Sequence, residues 1–288
     1  MDQRIADLLG LLELETLEVN LFRGESRDIG SAQVFGGQVL GQALNAASRT
    51  VTGRMVHSLH AYFLRRGDVN APIIYQVDRS RDGHSFSNRR VIAIQHGEQI
   101  FNMTCSFQVE ESGLEHQVPM PQVPAPEGLA DTSRVAPQLL EQLPERVRRL
   151  LETARPFEFR AVQPLDARPA PGHGPARQVW FRAVAQVPEE QTLQRVLLAY
   201  VSDFHLLETA TQPHGISHLS GKAQVASIDH AMWFHRPLRV DDWLLYDVES
   251  PSASGARGFA RANVFSRHGI LVASTAQEGL VRLPGPPR

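Results

Sequence analysis

Residues 35–47 run Phe35-Gly36-Gly37-Gln38-Val39-Leu40-Gly41-Gln42-Ala43-Leu44-Asn45-Ala46-Ala47, a stretch that predicts a helix rich in small residues. Glycine inside a helix costs up to about 1 kcal/mol per site, so its repeated use needs a compensating reason. A phosphate-binding loop would be one reason, but the GxGxxG spacing and a preceding strand are missing. The better explanation is that this helix must lie very close to another surface.

After this helix the hydrophobic period changes to two, which is typical of strands. Four strand-like runs are followed by a second helix, predicted over residues 190–211, and by four more runs. A short amphipathic helix is also predicted over residues 5–13. The runs are residues 57–64, 73–79, 85–95, 98–109, 225–235, 243–249, 258–266 and 270–282.

The second half of the chain repeats the first at a constant offset. The equivalent pairs, each 171 positions apart, are Phe63 and Phe234, Arg65 and Arg236, Tyr75 and Tyr246, Val77 and Val248, Arg90 and Arg261, and Thr104 and Thr275. Such an offset indicates an internal duplication. Its unit is one long helix followed by antiparallel strands, so we predict an α+β fold.

Proline-rich segments mark the boundaries between these units. Residues 118–128 carry Pro119, Pro121, Pro124 and Pro126, which disfavours a strand and indicates a linker. A short charged helix is predicted over residues 139–149, and another Pro/Gly-rich connection over residues 164–175. We predict an N-terminal unit over residues 1–117, a linker with its short helix over residues 118–154, and a C-terminal unit over residues 155–288 that carries the functional residues.

Composition limits the class of protein. The chain is 42% hydrophobic and 21% charged, which suits a globular protein, and its net charge of -2 gives no electrostatic case for binding nucleic acid. The single cysteine, Cys105, excludes an intramolecular disulfide, and its alternating context favours a buried thiol over a nucleophile. The acidic N-terminus lacks the pattern of a signal peptide, and no run approaches the roughly 18 apolar residues of a membrane span. We expect a cytoplasmic protein.

Three polar residues occupy positions where the periodicity predicts a core. Asp203 lies on the apolar face of the second helix, Gln277 lies on the apolar face of the last strand, and Ser227 begins a strand. Burying an aspartate costs several kcal/mol unless it is hydrogen-bonded or lines a wet pocket. The residues alone leave alternatives open, because Asp203 could cap a helix or bond a backbone amide, Gln277 could be a structural amide, and strand-opening serines are common.

Histidines are a second set of candidates. His205, His230 and His235 cluster in this part of the sequence, and His57 begins the equivalent strand of the first half. A histidine base is conceivable, although most such histidines are packed side chains. The chain lacks a GxSxG elbow, an HExxH pair and metal-ligand spacing, so neither a Ser-His-Asp hydrolase nor a metal site is predicted. The residues locate a polar pocket without naming its reaction.

The same residues lie in stretches that resemble the acyl-CoA thioesterase II family, the TesB-type double hot-dog enzymes. The matching stretches occur in order along nearly the whole chain. They are residues 35–43, 56–65 and 81–87, then Tyr200-Val201-Ser202-Asp203, residues 228–237 and Ser274-Thr275-Ala276-Gln277-Glu278-Gly279. The resemblance implies a tandem (double) hot-dog fold, in which each half is a long helix wrapped by an antiparallel sheet. It also implies hydrolysis of fatty acyl-CoA to free fatty acid and CoA, without a metal or redox cofactor.

The resemblance also implies which residues are catalytic. The family's aspartate falls on Asp203 and its glutamine on Gln277, while Ser227 stands where the family usually has threonine. The first half has Val56 and Ser106 at the positions equivalent to Ser227 and Gln277, so one site per chain is expected.

From these residue types we expect a water molecule held by the three side chains to attack the thioester carbonyl directly. Backbone amides at Gly36 and Gly37 are the candidates for stabilising the oxyanion, and His57 is a further candidate at the substrate site.

Two rival functions stay open on the sequence. A hot-dog hydratase or dehydratase also handles acyl-CoA and generally uses an Asp/His pair, for which His57 or His205 could serve. A non-catalytic acyl-CoA or lipid sensor would retain the fold without turnover. In each case the sheet edges need covering, so we expect a homodimer or homotetramer.

Overall fold

The computed structural model of the chain describes residues 2–29, 33–132, 155–163, 174–216 and 223–283. Its helices are α1 (Gln3–Leu12), α2 (Gly36–Ser48), α3 (Gln191–Ser202) and α4 (Leu206–Thr211), counted within these ranges. The strands in the same ranges are β1 (Glu15–Glu18), β2 (Leu21–Gly24), β3 (Met55–Phe63), β4 (Ile73–Asp82), β5 (Phe86–Gln95), β6 (Glu98–Gln108), β7 (Phe157–Ala161), β8 (Ala176–Ala183), β9 (Gln224–Ser227), β10 (Asp229–Phe234), β11 (Leu244–Ser254), β12 (Arg257–Ser266) and β13 (Leu271–Arg282).

The strands form one continuous antiparallel sheet. Its order is β1-β2-β4-β5-β6-β3-β10-β13-β12-β11-β8-β7, with β9 paired to β13. The predicted duplication recurs in the strand register, because Asp78 is opposite Arg90 on β4 and β5, and Glu249 is opposite Arg261 on β11 and β12. Both pairs are related by the offset of 171 positions found in the sequence. The α+β prediction is therefore confirmed.

The two halves meet at one strand pair and one helix pair. β3 of the first half pairs with β10 of the second over five residues, from Ser58 opposite Trp233 to Tyr62 opposite Asp229. Behind this seam α2 packs against α3. A Cβ atom added to Gly37 would lie 2.1 Å from the carbonyl oxygen of Tyr200, so only glycine permits this approach. The close packing predicted from the glycines is confirmed.

Buried amides fix α1 to α2. Gln42 Nε2 donates to the carbonyl oxygens of Leu11 at 2.6 Å and Glu25 at 2.9 Å, and Tyr75 donates its hydroxyl to Gln42 Oε1 at 2.6 Å. These bonds satisfy both polar atoms of a side chain that is fully buried. α1 is thereby held over one side of the helix pair.

The proline-rich segment forms no strand and covers the outer face of the second half. Trp180 donates its ring N–H to the carbonyl oxygen of Pro124 at 2.9 Å. A small second core forms there from Trp180, Trp243, Leu245 and Phe265, with Met120, Val123 and Leu129 packed against it. The linker is therefore part of the packed structure. The helix predicted over residues 139–149 lies outside the described residues.

The second helix differs from the sequence prediction. Instead of continuing over residues 190–211, it stops after Ser202 and resumes as α4 at Leu206. His205 causes the interruption by adopting a left-handed backbone conformation with φ of 70°. As a result Asp203 lies at the end of α3 rather than inside a helix. Strands β1, β2, β7 and β8 were not predicted either.

Among the residues described, no helix is both long enough and apolar enough to cross a membrane.

Candidate active site

Asp203 is the centre of a cluster of polar side chains. The residue follows the last turn of α3, and its partly buried carboxylate faces the first turn of α2, where the backbone N–H of Gly37 donates to it. The N-terminus of a helix carries a partial positive charge and unused N–H groups, so it suits a carboxylate. Oxygen Oδ2 of this carboxylate leaves no room for a side chain on Gly36, since an added Cβ would lie 2.6 Å from it.

Gln277 and Ser227 complete the cluster. Gln277 Nε2 donates to Asp203 Oδ1 at 2.7 Å and to Ser227 Oγ at 3.1 Å, while Ser227 Oγ donates to Asp203 Oδ1 at 3.4 Å. Gln277 is 1% exposed, and its Oε1 has no hydrogen-bond partner among the described residues. A buried acceptor is costly to leave unpaired, so this oxygen points to a polar group that binds there.

The strands explain why these three side chains meet. Gln277 projects from the buried face of β13 together with Thr275, as the alternation of its strand predicts. Ser227 ends β9, which pairs with β13 at Gly279. Ile228 then interrupts the strand before β10, and its backbone bonds to Phe63 and Glu278 on both sides. Ser227 is thus held beside Gln277.

His230, one of the histidine candidates, and Ser202 lie behind the cluster. Gln277 Nε2 lies 3.3 Å from His230 Nδ1, and Ser202 Oγ lies 3.0 Å from His230 Nε2. Ser202 donates its hydroxyl proton to the carbonyl oxygen of Ala199 at 2.9 Å, so it accepts from the N–H at His230 Nε2, and Nδ1 is left as an acceptor. The two hydrogens of the Gln277 amide therefore have three acceptors in reach, on Asp203, Ser227 and His230. Burial lowers the pKa of His230 to about 4, so the ring stays neutral and holds the amide of Gln277 in one orientation.

The environment of Asp203 alters its acidity. Burial raises the pKa of Asp203 to about 6, partly offset by hydrogen bonds from Gln277, Gly37 and Ser227. At neutral pH the carboxylate is ionised, yet it is more basic than an exposed aspartate. A carboxylate with these properties can accept a proton from water.

Comparisons with known proteins identify the family of this chain. A family profile described as "Acyl-CoA thioesterase" matches residues 151–280, and one described as "Acyl-CoA thioesterase N-terminal domain" matches residues 23–108. "Acyl-CoA thioesterase 2" of Haemophilus influenzae is 43% identical over 286 residues, covering 98% of this chain and 99% of the relative. This chain belongs to the acyl-CoA thioesterase II (TesB-type) family.

Solved structures support the same assignment. The acyl-CoA thioesterase II TesB2 from Mycobacterium marinum is 42% identical and superposes with a TM-score of 0.79, covering 96% of this chain and 99% of that one. A protein of unknown function with the hot-dog fold from Alicyclobacillus acidocaldarius, only 18% identical, superposes with a TM-score of 0.77 over 97% of this chain and 99% of its own. The double hot-dog prediction is confirmed for this thioesterase family member.

Not all candidates from the sequence of this TesB-type chain lie at the cluster. His57 lies near the opposite end of β3 from Phe63, about 20 Å away at roughly 3.3 Å per residue. His57 Nε2 is 2.8 Å from Ser106 Oγ. Ser106 is the residue of the first half that is equivalent to Gln277, so its partner there is a histidine, whereas the partner of Gln277 is an aspartate. The structure therefore groups Gly36 and Gly37 with Asp203, Ser227 and Gln277, and separates His57 from them.

Two further candidates of the TesB-type chain, His205 and Cys105, contact other residues than the Asp203 cluster. His205 Nδ1 is 3.1 Å from Glu208 Oε2, and its ring packs edge-on against Phe159. Cys105 is 1% exposed, and burial raises the pKa of its thiol well above the usual value, as expected for a packed strand residue rather than a nucleophile. Within the described ranges, no group of three or more His, Cys, Asp or Glu side chains could hold a metal ion.

Proposed function

We propose that this TesB-type thioesterase hydrolyses fatty acyl-CoA by direct attack of a water molecule that Asp203, Ser227 and Gln277 hold. The observation that carries the proposal is the convergence of Ser227 and Gln277 on one oxygen of Asp203, at 3.4 and 2.7 Å. The buried Oε1 of Gln277 supplies a further acceptor for the same water. The rival hydratase and sensor functions are not favoured, because the matching families and relatives are thioesterases.

The chemical steps follow from these residue types. Asp203 accepts a proton as the water oxygen bonds to the thioester carbon, and Ser227 and Gln277 orient that water. The carbonyl oxygen becomes negatively charged. Because the N–H of Gly37 donates to Asp203, the N–H of Gly36 at the start of α2 is the donor left for this oxyanion. The C–S bond then breaks, and the proton on Asp203 passes to the CoA sulfur.

A cavity beside Ser227, lined by apolar side chains and two arginines, suits the CoA part of the substrate. This Ser227 cavity has a volume of about 200 Å³, and its lining includes Gly36, Phe63, Arg65, Arg66 and Ser227. Arg65, which also pairs with Glu98 at 3.0 Å, and Arg66 place positive charge in this lining, where the phosphates of CoA can bind. The sulfur of the thioester would then lie on this side of Asp203.

Release of free CoA tests the proposal. We expect the wild-type protein to release CoA from a saturated acyl-CoA, detected with a thiol reagent. Asp203→Asn should lower kcat by about 10²- to 10⁴-fold, the usual contribution of a general base. Asp78→Asn, at an exposed position on β4, is the matched control and should keep wild-type activity. An Asp203→Asn protein with full activity, or an acyl adduct in intact-protein mass spectrometry during turnover, would contradict direct attack by water.

The assembly and location of the chain are also proposals. The edge strand β1 is exposed along its whole length and leaves backbone groups unpaired, with which the edge of a second copy can pair. This supports a homodimer or homotetramer, which light scattering on the purified protein would reveal.

The single cysteine is compatible with the reducing cytoplasm, where we expect the enzyme to serve fatty acid metabolism; cell fractionation would test this.

A further inference from the structure

A second cavity lies on the other side of Asp203 from the Ser227 cavity. This α1 cavity has a volume of about 340 Å³ and is enclosed chiefly by apolar side chains of α1, β7 and the end of α3. Those side chains are Leu8, Leu11, Phe157, Phe159, Tyr200 and Phe204. Phe204 follows Asp203 directly in the chain, and Tyr200 lies one helical turn before it. The cavity therefore begins next to the catalytic carboxylate.

The ring of Phe35 lies between residues that line the two cavities. Phe35 immediately precedes Gly36, and its ring centroid lies 4.5 Å from that of Phe204 and 5.3 Å from that of Tyr200. The ring is only partly buried and packs next to Gly37 at the start of α2. A thioester with its sulfur in the Ser227 cavity and its carbonyl at Gly36 would direct its acyl carbons past Phe35 toward the α1 cavity.

We propose that the α1 cavity binds the acyl chain of the substrate and sets the preferred chain length. This inference rests on the proposed thioesterase function. A dry cavity of about 150 Å³ holds a benzene molecule, so by proportion this one accommodates an aliphatic chain of about a dozen carbons. Apolar walls favour such a chain, because each buried methylene is transferred out of water.

Three arginines also line the α1 cavity. Arg4 donates to Asp2 Oδ2 at 2.8 Å, Arg27 lies 3.9 Å from Asp7, and Arg155 is the third. Arg65 of the Ser227 cavity is paired as well, with Glu98 at 3.0 Å, so ion pairing does not distinguish the two cavities. The walls do, because apolar surface makes up a larger share of the α1 cavity than of the Ser227 cavity, which fits the acyl end of the substrate.

A chain-length series tests the assignment. Leu8 is a buried residue of α1 that faces the cavity, so Leu8→Trp should fill the space intended for the distal carbons. We expect the ratio of kcat/KM for dodecanoyl-CoA to that for butyryl-CoA to fall about tenfold or more, because two or more methylenes lose their binding site. Leu8→Ala should move the preference in the other direction, toward longer chains, and remains informative if the tryptophan variant does not fold.

A cavity of similar size provides the matched control. Val51 lines a separate cavity of about 330 Å³ between the end of α2 and the start of α3, so Val51→Trp should leave the chain-length ratio unchanged. An unchanged ratio in both Leu8 variants, or an equal shift in Val51→Trp, would overturn the assignment of the α1 cavity. If the wild-type protein released no CoA from any acyl-CoA, the proposed function itself would fail.

Discussion

Asp203 combines two properties that a general base needs and that ordinarily oppose each other. Its carboxylate is withdrawn from water, which raises the pKa to about 6, and it still accepts three hydrogen bonds that keep it ionised at neutral pH. The Gly37 N–H supplies one of these bonds from the first half, while Ser227 and Gln277 supply the others from the second. The residue is therefore basic enough to take a proton and still charged where the enzyme works.

The activity should depend on pH through this carboxylate. Because burial raises the pKa of Asp203 to about 6, the base becomes protonated below that pH, and kcat/KM should fall there with a slope of one on a logarithmic plot. Above about pH 7 we expect a plateau. Steady-state rates between pH 5 and pH 8, with far-UV circular dichroism to verify folding at each pH, provide the measurement.

The temperature dependence distinguishes this carboxylate from a histidine. Carboxyl ionisation absorbs little heat and imidazole ionisation absorbs much more, so an inflection due to Asp203 should hardly move on warming. Ser227→Ala serves as the control and should lower the plateau and move the inflection slightly to higher pH, because it removes a hydrogen bond that lowers the pKa of Asp203. An inflection that shifts strongly with temperature would assign the base to a histidine instead.

His230 should act on the reaction only through Gln277. Its neutral ring accepts from the amide at 3.3 Å and donates to Ser202 at 3.0 Å, so replacing it leaves the amide free to rotate. We expect His230→Leu to lower kcat about 10- to 100-fold, as when other supporting hydrogen-bond partners are lost, with little change in KM. Acyl-CoA hydrolysis kinetics would measure both constants.

A conservative substitution separates positioning from simple loss of stability. His230→Gln retains an acceptor and a donor and should recover part of kcat, whereas a purely structural role would make both variants fail in proportion to their melting temperatures. If His230→Leu retained wild-type kcat, the positioning role would be wrong.

At the scale of helices, the packing of α2 requires glycine at position 37, whereas α1 does not require glycine at position 10. An added Cβ on Gly37 would lie 2.1 Å from the backbone of Tyr200, while one on Gly10 meets no atom within 4 Å. Gly37→Ala must push α2 and α3 apart, which should cost about 1–3 kcal/mol of unfolding free energy and reduce activity. Gly10→Ala, the matched control in an exposed helix position, should gain up to about 1 kcal/mol. Urea denaturation of both variants tests this; equal stabilities would contradict the close packing.

The elements that could be predicted from the sequence are those with a clear period. Most central strands of both halves alternate, so most of their bounds were right to within a few residues. The run predicted over residues 225–235 was wrong as a single strand, because Ile228 divides it into β9 and β10, and β11 extends five residues beyond the predicted end at residue 249. β1 escaped because all four of its residues are exposed and show no alternation. β8 was missed although Val179, Phe181 and Ala183 alternate on its buried side. The break at His205 could not be foreseen, because the apolar spacing continues through it and only a left-handed residue ends the helix.

The site was predictable in part for a similar reason. Asp203 and Gln277 could be recognised as polar residues on apolar faces, and the resemblance to the family connected them with Ser227. The role of His230 depends on a contact with Gln277 across 47 residues of sequence, which no local pattern reveals. His57 was chosen because it begins the strand of the first half that is equivalent to the strand at Ser227. In the structure it lies at the end of β3 that is farther from Asp203.

At the scale of the whole molecule, the residues of the proposed active site come from both halves. Gly36 and Gly37 come from α2 in the first half, and Asp203, Ser227 and Gln277 come from the second. The seam that brings them together consists of the β3–β10 pairing and the contact between α2 and α3. Because the site exists only when this seam is formed, stability of either half should be linked to that of the other.

This linkage predicts that the chain unfolds in a single transition. All three tryptophans, Trp180, Trp233 and Trp243, lie in the second half, but Trp233 is in the seam and its ring packs 5.3 Å from that of His60 in the first half. In a Trp233→Phe background the fluorescence of Trp180 and Trp243 therefore reports on the second half alone. Ile73 is fully buried in β4 of the first half, and Ile73→Val should cost about 0.5–1.5 kcal/mol. In urea the tryptophan fluorescence and the far-UV circular dichroism should move together to a lower midpoint, because loss of the first half exposes the seam. A fluorescence midpoint that stays at its wild-type value, while circular dichroism develops a second transition, would show that the halves fold independently.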